Sequence, residues 1–311
     1  MRIGVVVPMA VSDGPGQMPT WPQVRAFGQH AEAVGLDSVW VCDHLLAGPS
    51  DDSAEGIHEG WTVMAALAAS TRRVELGQLV MCTSFRQPAL LAKMATTADA
   101  VSGGRLILGL GAGWYDPEYQ VFGYPTDHRA GRFGEAIRII GPLLRGETVT
   151  MAGTYYQVRD AVLRPPPDRP IPILVAAQGW RMLRLTARYA DAWNTAWFGL
   201  PDDLLHRRLA DLDAALAAEG RDPATLRRTV GMEVRDPDTT DPGEDLGEGF
   251  GGSVDELAWA IDAHEQLGFD DLIVQLEPRP RGRWTASPRR SSCGRADPDR
   301  HRDASGTVDL P

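Results

Sequence analysis

The chain holds 311 residues, with 43% apolar residues and a formal net charge of −11. That length suits one large α/β barrel of about 250 residues with insertions, or two small domains. The acidic balance argues against nucleic acid and anionic membrane as partners, and no run approaches the roughly 20 apolar residues of a membrane span.

The opening Met1–Pro8 is too short for a signal peptide and reads as a first strand, so a cytoplasmic protein is expected. Cys42, Cys82 and Cys293 have no metal-ligand spacing and are odd in number for a disulfide framework.

Short apolar runs alternate with longer amphipathic ones, the pattern of βα units around a parallel sheet. Ile3–Val7 is a β-branched first strand, followed by a helix over Pro22–Gly35 with Val24, Phe27, Ala31 and Val34 on one face. Ser38–Cys42 is the second strand, Trp61–Ser70 a helix, and Val74–Met81 the third strand. Pro88–Val101 is a helix closed by Ser102-Gly103-Gly104, and Arg105–Leu110 is the fourth strand.

Tyr115 to Arg129 reads as a loop and Arg132–Leu144 as a helix. Tyr155–Leu163 has the pattern of a hairpin, and Arg164-Pro165-Pro166-Pro167 that of a rigid connector. Ile171–Ala176, Ala192–Thr195, Arg228–Val234 and Asp271–Leu276 are the fifth to eighth strands. Helices over Met182–Tyr189, Asp202–Glu219 and Val254–Leu267 separate them. Eight strands with intervening helices predict a (β/α)8 TIM barrel with insertions over 1–278.

The Gly-, Asp- and Pro-rich stretch Asp236–Gly252 reads as a mobile lid. After Glu277 the expected eighth helix is replaced by a run rich in Arg, Asp, Ser and Pro. Its composition predicts a disordered tail over 279–311 and suggests a frame-shifted or otherwise aberrant end.

A TIM barrel carries its chemistry at the C-terminal ends of its strands. Here those ends supply Met9, Asp43-His44, Cys82 to Arg86, Gly111 to Trp114, Ala177-Gln178-Gly179, Asn194, Trp197 and Glu277. No His pair, carboxylate ring or cysteine cluster stands there, so a metal hydrolase is not expected and no metal ligand is assigned. No lysine does either, which removes a Schiff-base nucleophile, and no G-x-S-x-G elbow occurs. One histidine, glycines, small polar groups and aromatics suit a planar, polar cofactor. Gln178-Gly179 before a helix could cradle a phosphate, or could be an ordinary βα turn.

Several strings carry a family resemblance. Gly35–His44, the segment from Leu76-Gly77 through Thr83-Ser84-Phe85-Arg86-Gln87-Pro88 to Lys93, Ser102–Trp114, and Ala187–Asn194 occur in order. Together they resemble the luciferase-like monooxygenase superfamily, and in particular its branch that uses the deazaflavin coenzyme F420.

The resemblance implies a non-proline cis peptide at Leu79-Val80, forming a bulge behind the central ring of the cofactor. It places His44 near the reactive ring as proton donor or hydrogen-bond partner. Asp43, Leu79, Val80, Cys82, Gly111, Gly113, Ala177, Gln178 and Gly179 become candidate cofactor contacts. Met9, Trp114, Asn194 and Trp197 become candidates for the substrate pocket.

The implied activity is hydride transfer between F420 and a small organic substrate. An FMN monooxygenase or a non-catalytic flavin-binding barrel is the alternative. A homodimer is also implied. The sugar-phosphate dehydrogenase branch has a glutamate where Trp114 stands, and a tryptophan where Gly48 stands. Glucose 6-phosphate is therefore not carried over.

Overall fold

A computed structural model describes residues 1–13, 17–47, 56–235 and 249–277. In chain order its strands begin with β1 (Arg2–Val6), β2 (Ser38–Val41), β3 (Glu75–Gln78), β4 (Met81–Cys82), β5 (Leu106–Gly111) and the hairpin β6 (Val149–Ala152) and β7 (Gln157–Ala161). They end with β8 (Ile173–Ala176), β9 (Ala192–Phe198), β10 (Arg227–Arg235) and β11 (Asp271–Glu277). The helices are α1 (Trp21–Ala33), α2 (Gly60–Ser70), α3 (Pro88–Ser102), α4 (Asp116–Val121), α5 (Arg129–Leu144), α6 (Trp180–Tyr189), α7 (Asp203–Ala218) and α8 (Val254–Gln266).

The sheet runs β3-β2-β1-β11-β10-β9-β8-β5 and closes through β3–β5 pairing, with every rung parallel. β3 and β4 are two pieces of one barrel strand, so the barrel has eight staves, the expected TIM architecture.

Strand alternation sorts the side chains. Val39 and Val41 face the helices, while Trp40 points inward to meet Ile107, Leu174, Ala192 and Ile273. The indole fits because its neighbour is Gly77, where a Cβ would fall 2.2 Å from the ring. At the N-terminal end of the strands Arg227 grips Asp271, and Arg2 reaches Glu75 at 2.6 Å. Ion pairs thus close the bottom and aromatic packing fills the middle, which leaves the C-terminal mouth for a ligand.

The structure departs from the expected elements at four places. The stretch Tyr115 to Arg129 is not all loop, because Asp116–Val121 forms α4. Its start carries the signals of a helix N-terminus, proline in the first turn and acidic Asp116 and Glu118. The next helix begins at Arg129 rather than Arg132, after His128 at φ 52°. The hairpin pairs Val149–Ala152 with Gln157–Ala161, so it starts earlier than Tyr155. The sixth barrel strand runs on to Phe198, through a register shift against β10 and a cis Ala196-Trp197 peptide.

The expected lid falls largely on residues 236–248, and the tail on 278–311; both stretches, Gly48 and Cys293 lie outside the described residues. No helix among the described residues is long and apolar enough to cross a membrane.

Candidate active site at the barrel mouth

The third stave breaks where expected. Leu79-Val80 is a cis peptide without proline, lying between β3 and β4. The bulge presses on β5. A Cβ on Gly109 would lie 1.7 Å from the Gln78 carbonyl oxygen, and one on Gly111 would lie 2.5 Å from Val80 Cγ2. These two glycines therefore admit the close approach of the neighbouring strand, and with Val80 they line one apolar side of the inner mouth.

Gly113 has a different need. Its φ is +77°, and a Cβ there would meet Tyr119 Oη at 1.9 Å and Cys82 Sγ at 2.7 Å.

Asp43 is 4% exposed and accepts from Cys82 N at 2.9 Å and from both Arg86 terminal nitrogens, at 2.7 and 2.9 Å. Burial pushes its carboxyl up to about 6 against the pull of Arg86. Arg86 also bonds Glu59; burial opposes its charge, but the two carboxylates outweigh that and raise its pKa. Asp43 thus ties the end of β2 to β4. Burial likewise pushes the Cys42 thiol up to about 12 and the Cys82 thiol up to about 11, so neither is a thiolate near neutral pH.

His44 stands at the rim, its side chain 26% exposed, with Nδ1 3.0 Å from Glu118 Oε1. Trp114, half exposed, meets its imidazole edge-to-face at 5.6 Å.

Deeper inside the barrel, Asn194 donates to Thr229 Oγ1 at 2.8 Å, and both are buried. A Cβ on Gly231 would meet the Trp197 ring at 2.6 Å, so that indole lies over the inner face of β10. Ala177 accepts from Trp193 Nε1 at 2.9 Å. Gln178 and Gly179 are exposed; Gly179 caps α6 with no side-chain hydrogen bond, and the space over its Cα is open. Met9 is fully buried in the core between sheet and helices, where it offers no surface to a ligand.

Sequence reasoning missed Glu118 and Tyr119 because α4 was read as loop. It also missed Glu233. That residue alternates with Thr229 and Gly231 on β10, opposite Gln275 of β11, and so shares their inward face at the mouth.

Residues 1–241 match the profile of the family described as luciferase-like monooxygenase. The chain is 34% identical over 288 residues to an F420-dependent glucose-6-phosphate dehydrogenase of Beutenbergia cavernae, covering 89% of this chain and 80% of that one. A dehydrogenase of the same name from Amycolatopsis mediterranei is 36% identical, but over 54% of this chain and only 51% of its own length, so the match spans about half of that relative. A phthiodiolone/phenolphthiodiolone dimycocerosates ketoreductase of Mycobacterium tuberculosis is 32% identical over 73% of this chain and 63% of its own.

Among solved structures, an F420-dependent secondary alcohol dehydrogenase superposes with a TM-score of 0.73 at 22% identity, covering 89% of this chain and 93% of that one. The EDTA monooxygenase of Chelativorans sp. BNC1 does so with a TM-score of 0.71 at 15% identity, covering 90% of each. Likeness at these identities shows the fold alone. The chain belongs to the luciferase-like monooxygenase family.

Proposed function

We propose that this chain is an oxidoreductase that uses coenzyme F420 to exchange a hydride with a small organic substrate. One observation carries the reading: the Val80 bulge, seated on Gly109 and Gly111, builds one apolar side of the inner mouth, with His44 and Trp114 at the rim. Relatives named as F420-dependent dehydrogenases support it.

The residues fit a deazaflavin. Leu79, Val80 and Gly111 would back its ring, and Ala177, Gln178 and Gly179 at the open start of α6 would receive its phosphate on unpaired helical N–H groups. When bound, F420 supplies two-electron hydride chemistry. The chain does the rest. Trp114 and Trp197 exclude water from the mouth, Asn194 and Thr229 form its polar floor, and His44 holds or moves a proton at Nε2. Asp43 and Cys82 serve from behind, by fixing the ends of β2 and β4.

Fluorescence titration of the purified chain with F420 and with FMN tests the cofactor. Micromolar F420 binding with weak FMN binding is expected. FMN binding alone would replace this reading with a monooxygenase, whose turnover would need oxygen. Binding without turnover of any substrate, unaltered in His44→Ala, would indicate a flavin-binding barrel. The homodimer is carried as part of this proposal, supported by the exposed Leu90 and Val101 on α3, and sedimentation equilibrium tests it.

A further inference from the structure

We propose that Glu118 is a positioning residue that holds His44 with its proton on Nδ1, so that in the neutral ring the basic lone pair is on Nε2. The inference rests on the role given to His44 above.

Glu118 is 2% exposed. One of its oxygens, Oε1, accepts from Leu45 N at 2.5 Å and Leu46 N at 3.1 Å, and faces His44 Nδ1 at 3.0 Å. An unprotonated Nδ1 at that distance would set its lone pair against a buried carboxylate. Donation from Nδ1–H is the arrangement that satisfies both groups, and in the neutral ring it leaves the basic lone pair on Nε2. Three consecutive residues thus wrap one carboxylate oxygen, and the loop after β2 takes its shape from it.

The carboxylate is itself held. The next residue, Tyr119, is fully buried, and its hydroxyl donates to Ala112 O at 2.9 Å. A phenol has one proton, so the Cys82 thiol at 3.0 Å is the donor to Tyr119. The Arg129 guanidinium covers the Tyr119 ring at 4.3 Å. Consecutive residues of α4 therefore lock onto the loop after β2 and onto β4.

The test is nitrogen NMR on full-length protein labelled at histidine, without cofactor, at pH 8.5, with the His44 signals identified by their loss in His44→Gln. The wild type should show the Nδ1–H form. Glu118→Gln keeps an acceptor for all three donors and should keep that form. Glu118→Ala should lose it and lower kcat/KM by about 100-fold, chiefly through kcat, with F420 affinity within about twofold. Wild-type His44 in the Nε2–H form, or an unchanged tautomer in Glu118→Ala, would overturn the inference. The role of His44 itself fails separately, if His44→Ala retains full activity.

Discussion

The two sides of the barrel mouth are built on the same plan with different stiffness. On each, a stave bulges at a cis peptide and leans on a glycine of its neighbour: Leu79-Val80 on Gly109 and Gly111, and Ala196-Trp197 on Gly231. On the first side the tightest contact is with backbone, the Gln78 carbonyl 1.7 Å from the position a Cβ would take. On the second it is with side chains, the Ala196 methyl and the Trp197 ring. Neither the Gln78 carbonyl nor the Ala196 methyl can step aside, but the second approach is wider, at 2.6 Å against 1.7 Å, and its other contact is the Trp197 ring, which can turn. The first wall is therefore the more rigid one and is further fastened by Asp43 and Arg86, which suits the cofactor side proposed above. The second has more room to adjust, which suits the proposed substrate side.

Substitutions can break that contrast. Arg86→Ala should have the largest effect, because it leaves Asp43 buried without its bidentate partner; a loss of about 3–5 kcal/mol in urea unfolding is expected. Gly109→Ala should cost about 3 kcal/mol, with loss of F420 binding, since its Cβ meets main chain. Gly231→Ala should cost about 1 kcal/mol and raise KM while leaving cofactor affinity intact. Equal costs for the two glycine variants would abolish the distinction between the walls.

The smallest effect concerns pH on the adjustable side. His264 of α8 is fully buried, and burial pushes its imidazole below the ordinary 6.5, against the pull of its bond to Ala260 O. The unfolded chain takes up this proton near 6.5 and the folded chain only at lower pH. Stability is therefore complete above about pH 6.5 and falls as pH drops from there toward the folded value. Urea midpoints at pH 7.5 and 5.5 should differ less in His264→Leu than in the wild type.

Much of the scaffold was legible in the chain because its signals are local. The β-branched runs at Ile3–Val7 and Ile171–Ala176, and the helical periodicity from Pro22, each specify one element within a few residues. Capping signals did the same for α3, which ends at Gly103 with φ +73°. The short α4 was passed over because six residues carry too few turns to show a period, although Asp116-Pro117-Glu118 announced it.

Local patterns in the chain specify the strand and helix alternation, the barrel it implies, and the strand ends where chemistry collects. Which side chains meet there depends on contacts between distant segments. His44 and Glu118 are 74 residues apart, and Asp43 and Arg86 are 43 apart. Likewise Gly109 and Gly231 need their smallness for neighbours that no local pattern names. Periodicity reports which face a residue takes, whereas closure of the sheet sets what stands opposite, through register and the position of each bulge.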